Sequence, residues 1–226
     1  MRLTFLSAGA AHGLVTAIAA EAGIEVAGTF SAVGAIREKV IAGEHCDIVI
    51  LTQAQIAELV AQGRVVAGTC ADLGTVRTSI AIRSGSAIPD IRSEDALRAT
   101  LLAADALFFP DPEKATAGIH FMRVLEALGI RQQVAPKLKT YPNGTTAMRE
   151  MALAGGNPVG CTQATEILAT PGIVMAGGLP KSLELATVYT AAVSAAAANR
   201  VGAATFIARI AGTPSRSQRE RAGFQC

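Results

Sequence analysis

Four segments of this chain place small or hydroxyl-bearing residues where an apolar run ends and a helical pattern begins. They are Ser7-Ala8-Gly9-Ala10-Ala11-His12, Ser31-Ala32-Val33-Gly34, Ala115-Thr116-Ala117-Gly118 and Asn143-Gly144-Thr145-Thr146. The first turn of a helix carries backbone N–H groups without an intrahelical acceptor and a partial positive charge, so converging helix starts hold an anion without Lys or Arg. Each dipole contributes about 0.3 to 1 kcal/mol and each hydrogen bond to a charged group about 1.5 to 3, so a single start is insufficient. Small residues at tight turns need no ligand to explain them; their recurrence in both halves of the chain carries the signal.

Other residues could add to such a site. Thr52 and Gln163 each close a short apolar run, and backbone donors near Ala10, Val33, Ala117 and Thr145 supplement the side chains of Ser7, Ser31, Thr116 and Asn143. Gly9, Gly118 and Gly144 let a ligand approach the main chain. His12 and His120 fall in first turns of helices, where an imidazole donates to an anion or transfers a proton; with Glu166 they are the weak candidates for acid–base chemistry. Arg37, Arg83, Lys114 and Arg123 are read as solvated or structural, the ordinary state of such side chains. Cys46, Cys70, Cys161 and Cys226 are widely spaced and form neither a CxxC pair nor a Cys/His ligand set, so no metal and no cofactor is expected. No G-x-S-x-G nucleophile motif occurs.

The elements that must position these residues alternate between short β-rich runs and helical patterns, which signals parallel sheets crossed by helices. Strands are expected at 3–6, 26–30, 47–51, 78–82, 107–109 and 187–190. Helices are expected after each of these loops, among them 117–128 closed by Gly129, 145–154, a short one at 163–168, and 203–210 near the end. The turn-rich exit Arg83-Ser84-Gly85-Ser86-Ala87-Ile88-Pro89 marks a crossing from one lobe to another, and the chain returns near Leu185. The expectation is an α/β chain of two lobes, one discontinuous over 1–82 plus 184–226 and one continuous over 83–183, with hinges near Ile82 to Ser84 and Leu183 to Thr187. Between Pro171 and Pro180 the chain, with Gly177-Gly178, reads as a passage rather than an element.

Composition restricts the function classes. The chain has 226 residues, half of them hydrophobic but only 4% aromatic and none Trp, so its cores are built from Ala, Val, Ile and Leu. A formal charge of +2, without a basic cluster interleaved with aromatics, argues against a nucleic-acid partner. The apolar runs are too short for direct membrane insertion. Arg2 to Leu6 reads as a strand rather than a secretory leader, so the chain as given is expected to be cytoplasmic, with a periplasmic location as the alternative if a leader was removed.

Several ordered segments carry a family resemblance: Phe5-Leu6-Ser7-Ala8-Gly9, Phe30-Ser31-Ala32-Val33-Gly34-Ala35-Ile36, Ala42 to Ile50, Gly160-Cys161-Thr162-Gln163-Ala164-Thr165-Glu166, and the ending Phe206 to Ile210 with Thr213-Pro214-Ser215 and Arg221 to Phe224. Together they resemble the molybdate-type solute-binding proteins of ABC transporters over nearly the whole chain. The resemblance implies a type II periplasmic-binding-protein-like fold, each lobe a mainly parallel sheet flanked by helices, closing on a small anionic ligand, with a membrane transporter as partner if the chain is exported. It also exposes a departure. The family's serine hydroxyls after the first two strands correspond here to Gly9 and Val33, and its tyrosine in the second lobe to Gln163. The hydroxyl set for a tetrahedral oxyanion is depleted, so an organic carboxylate is favoured over molybdate. The alternative on the same scaffold is an isomerase of an unsaturated tricarboxylate, resembling aconitate isomerase.

Overall fold

The computed structural model describes residues 1–226, which divide into two compact units, Met1–Val76 with Thr187–Cys226, and Arg77–Ala186. The chain passes between them within the strands β4 (Ala71–Arg83) and β9 (Ala186–Val193).

The first unit contains β1 (Arg2–Ala8), α1 (His12–Glu21), β2 (Glu25–Ser31), α2 (Val33–Ile41), β3 (Ile48–Thr52), α3 (Gln53–Ala61) and the start of β4. A 3-10 turn, Gly9–Ala11, runs directly into α1. β1 lies between β2 and β3 and is parallel to both, while β9 pairs antiparallel with β3. Ile48, Val49, Ile50 and Leu51 have no exposed surface, as a strand covered on both faces requires. Gly28 sits opposite Phe5 at a φ of 122°, and a Cβ there would overlap the Phe5 main chain. Phe5 is the aromatic centre of this core, stacked on Phe30 with centroids 6.0 Å apart and edge-on to Phe206 at 5.6 Å.

The second unit contains the end of β4, α4 (Glu94–Ala103), β5 (Ala106–Pro110), α5 (Thr116–Ala127), α6 (Arg131–Val134), β6 (Leu138–Tyr141), α7 (Gly144–Leu153), β7 (Pro158–Gln163), α8 (Ala164–Leu168) and β8 (Ile173–Gly178). β5 is parallel to β6 and β7, and β4 is antiparallel to both β7 and β8. Ile80, Leu107, Phe109, Phe121, Val124, Val159 and Cys161 form the larger core, and Phe108, Met148, Met151 and Ile167 the smaller one. α9 (Arg200–Ala211) and α10 (Arg216–Arg221) complete the first unit.

Two expectations are corrected. The segment read as a passage between Pro171 and Pro180 contains β8, where β4 supplies the pairing that the glycines obscure in the sequence. β4 is also longer than the run 78–82: its first half has buried residues at Leu73 and Val76, out of step with strict alternation, and Thr75 pairs there with Gln225 from the far end of the chain.

Candidate functional site

Each unit gathers its share of the predicted residues at the C-terminal ends of parallel strands. In the first unit, the register sets Ala8 opposite Ser31, so the turns after β1 and β2 emerge side by side. α2 begins at Val33 after Ala32, and α1 after Ala11; neither N-cap residue has a side chain that bonds the helix start. Alanine is a poor N-cap, worth about 0.5 to 2 kcal/mol less than Ser, Thr, Asp or Asn, so the first turn of α2 has no side-chain acceptor, while α1 continues the 3-10 turn and its His12 amide donates to the Gly9 carbonyl. Thr52 does cap: its hydroxyl accepts from the Gln55 amide at 3.3 Å at the start of α3. Ser7 is fully buried and donates to the Ala8 carbonyl at 3.0 Å. Gly9 and Ser31 are half-buried, and Ala10 and Val33 buried. His12 is half-buried, its ring edge-on to Phe30 at 4.6 Å. Arg37 pairs with Glu58 at 3.1 Å.

In the second unit, the Asp111 carboxylate accepts from the amides of Glu113 and Lys114 at 2.7 and 2.9 Å, shaping the turn that delivers α5. Ala115 then N-caps α5 without a side-chain bond, and Thr116 and Ala117 open the helix. A Cβ on Gly118 would overlap the carbonyls of Pro110 and Asp111, so this glycine serves the packing of α5 on the end of β5. His120 has Nε2 at 2.7 Å from the Leu183 carbonyl. Arg83 bonds the carbonyls of Ala154 and Gly156.

The start of α7 is arranged differently. Asn143 accepts from the Thr146 amide at 2.8 Å and from the Thr146 hydroxyl at 3.0 Å. The carboxylate of Glu166 occupies the rest, accepting from the Thr162 hydroxyl at 2.6 Å and from the amides of Thr145, Gln163 and Gly144. Burial raises the Glu166 carboxyl above its ordinary range, and these donors pull it back toward the ionised form. As the third residue after the Gln163 N-cap of α8, Glu166 also reaches back to the cap amide, a capping-box contact. Gly144 has no alternative here, since a Cβ would overlap the Glu166 and Thr162 oxygens. Gln163 itself is 3% exposed, and neither Nε2 nor Oε1 of its carboxamide has a partner.

Sequence reasoning did not find Thr78, Thr162 or Thr165. Thr78 lies opposite Gln163 in the β4–β7 ladder, and Thr162 holds Glu166. Thr165 is buried with its hydroxyl unpartnered. An isolated Thr in a strand gives no local signal, and only the cross-strand register brings Thr78 to Gln163.

A class of protein follows from the sheet order, the strand-end turns and the uncapped helix starts: the type II periplasmic-binding-protein-like solute binders. The chain belongs to the family described as bacterial extracellular solute-binding protein, which matches residues 3–225. Its structure is similar to the periplasmic molybdate-binding protein of Azotobacter vinelandii, with a TM-score of 0.78 at 16% identity, covering 99% of each chain. It is also similar to the sulfate-binding protein of Mycobacterium tuberculosis H37Rv, with a TM-score of 0.71 at 19% identity over 99% of this chain and 86% of the other. In sequence, 159 residues are 27% identical to an aconitate isomerase from Pseudomonas sp, spanning 70% of this chain and 59% of that protein's length.

Proposed function

We propose that this protein captures a small anion, that the anion is an organic carboxylate, and that a membrane transporter receives it. The observation that carries the reading is the distribution of helix caps. Among the seven helices of nine residues or more, α3, α4, α7 and α9 receive a side-chain cap from Thr52, Ser93, Asn143 and Asn199, whereas α1, α2 and α5 receive none. Those three follow three of the four strand ends at which anion-holding turns are expected; the fourth, before α7, is capped by Asn143 and filled by Glu166. Caps are given where a helix only has to be finished and withheld where an anion would finish it.

The choice of carboxylate rests on what the hydroxyls do. Gly9 and Val33 have none, and Ser7 donates to its own neighbour's carbonyl. A tetrahedral oxyanion wants donors on all sides, whereas a planar carboxylate is served by two or three amides in its plane. The aconitate isomerase relative supports the same ligand class. It also supports a second reading, proton transfer on an unsaturated tricarboxylate. In this chain the candidates for that chemistry are His12, at the start of α1, with His120 and Glu166. The family description supports the periplasmic alternative for location.

The test is thermal-shift and calorimetric titration with molybdate, tungstate, sulfate, phosphate and small di- and tricarboxylates. At about 100 times Kd a ligand stabilises by about 2.7 kcal/mol, a shift of roughly 5 to 10 °C for a chain of this length. Shifts confined to molybdate and sulfate would sink the carboxylate reading, and no shift with any anion would sink anion binding altogether. Incorporation of solvent deuterium into trans-aconitate decides for or against the isomerase.

A further inference from the structure

Buried polar side-chain atoms in folded proteins nearly always have a partner. Six here do not, and four of the six belong to three residues of the second unit: Nε2 and Oε1 of Gln163, Oγ1 of Thr78 and Oγ1 of Thr165. Thr78 has no exposed surface, and Gln163 and Thr165 have 3% and 5%. Thr78 and Gln163 face one another directly in the antiparallel β4–β7 pair, so their side chains stand on the same side of the sheet. The next pair on that side, Ile80 with Cys161, packs in the core that holds Phe121 and Val124 of α5. Thr78 and Gln163 therefore share a sheet face with the helix whose start is uncapped, and Thr165 follows Gln163 by two residues in α8. Thr162, between Gln163 and Cys161 on the opposite face, is satisfied by Glu166, so within the β4–β7 ladder the deficit falls on one face.

The chemistry of the unmet atoms says what would satisfy them. A carboxamide offers two donors and one acceptor, and each hydroxyl offers a donor and acceptor sites. A ligand that presents only acceptor oxygens, whether an ionised carboxylate or a fully deprotonated oxyanion, meets the donors but leaves the Gln163 carbonyl oxygen against negative charge. A ligand hydroxyl satisfies both ends, donating to Oε1 and accepting from a threonine hydroxyl or from Nε2. We propose that Thr78 and Gln163 read a hydroxyl carried beside the carboxylate, so that the ligand class is a hydroxy acid. This rests on the carboxylate reading above and narrows it. Sites built to hydrogen-bond a ligand hydroxyl reject the analogue that lacks it, because their own buried groups are then left unpaired.

Matched pairs test this by calorimetry on the full chain: malate against succinate, citrate against tricarballylate, lactate against propionate. At least one hydroxy acid is expected to bind at least about tenfold more tightly than its deoxy partner, and in Gln163→Met that ratio falls to within about twofold. Without ligand, Gln163→Met and Thr78→Val are expected to melt at the parent temperature or about 2 to 4 °C above it, since each removes a buried group that has no partner. Equal affinities within every pair overturn the proposal, as does a preference that survives Gln163→Met. A melting temperature lowered by more than about 5 °C also overturns it, because it reveals a structural partner for these groups. If no acid binds, the carboxylate reading fails and takes this one with it, whereas binding without discrimination sinks the hydroxyl reading alone.

Discussion

Gly144→Ala is the substitution for which the structure gives the sharpest expectation. In the native chain the main chain at this position lies against the Glu166 carboxylate and the Thr162 hydroxyl, and an added methyl would overlap both oxygens. Retreat is closed to Glu166, which is 6% exposed and tied to the Thr162 hydroxyl and to the amides of Thr145, Gln163 and Gly144. Displacing it breaks at least two hydrogen bonds to a charged group, at about 1.5 to 3 kcal/mol each. The better helix propensity of Ala returns up to about 1 kcal/mol. The net loss is about 2 to 5 kcal/mol. In urea, with a slope of about 2 to 3 kcal/mol per molar, the midpoint falls by about 1 to 2 M at unchanged slope. The double-mutant cycle isolates the cause: in a Glu166→Ala, Thr162→Ala background, which removes both oxygens the methyl would overlap, the same Gly144→Ala change should cost less than about 0.5 kcal/mol. A single-mutant loss under about 1 kcal/mol, or an equal loss in both backgrounds, refutes the reasoning.

Two other outcomes are expected. Ala32→Asp supplies α2 with the cap it lacks, so the chain should gain about 1 kcal/mol in chemical denaturation while the new charge weakens binding of whichever anion the titrations identify; a cap that leaves affinity unchanged removes α2 from the site. Asp47 is buried, which alone would raise its carboxyl, but bonds from the amides of Asn199 and Thr4 and from the Thr4 hydroxyl outweigh this and hold it below the ordinary value. Its contribution is therefore present above the unfolded value of about 3.9 and is lost as pH falls through the lower folded value. Asp47→Ala should cost about 2 to 4 kcal/mol at pH 7, with the difference from the parent narrowing in denaturation curves below about pH 4; a cost independent of pH would contradict the sign.

Much of this architecture was legible because its signals are local. The run Asp47 to Leu51 is apolar and short, and it forms the strand β3. Ser93 sits before an amphipathic stretch, and it caps α4 by accepting from the Ala96 amide. The small-residue strand ends were visible too. What could not be read depends on partners distant in the chain. β8 exists because β4 pairs with it across a register shift between Ile80 and Ala81, and its glycines disguise it. The start of α7 looked like the other small-residue turns, yet Glu166, two elements later, folds back onto its amides. Thr78 gives no sign of itself until the ladder sets it against Gln163.

The split of the first unit across both ends of the sequence governs the order in which the protein is made. β3 has β9 as its antiparallel neighbour, and β9 leaves the ribosome only after every residue of Arg77–Ala186. While the whole of the intervening unit is being made, one side of a strand built from Ile48, Val49, Ile50 and Leu51 waits without its companion. The half that is begun first is finished last, and the interval in between is when the nascent chain most needs shielding from other open edges.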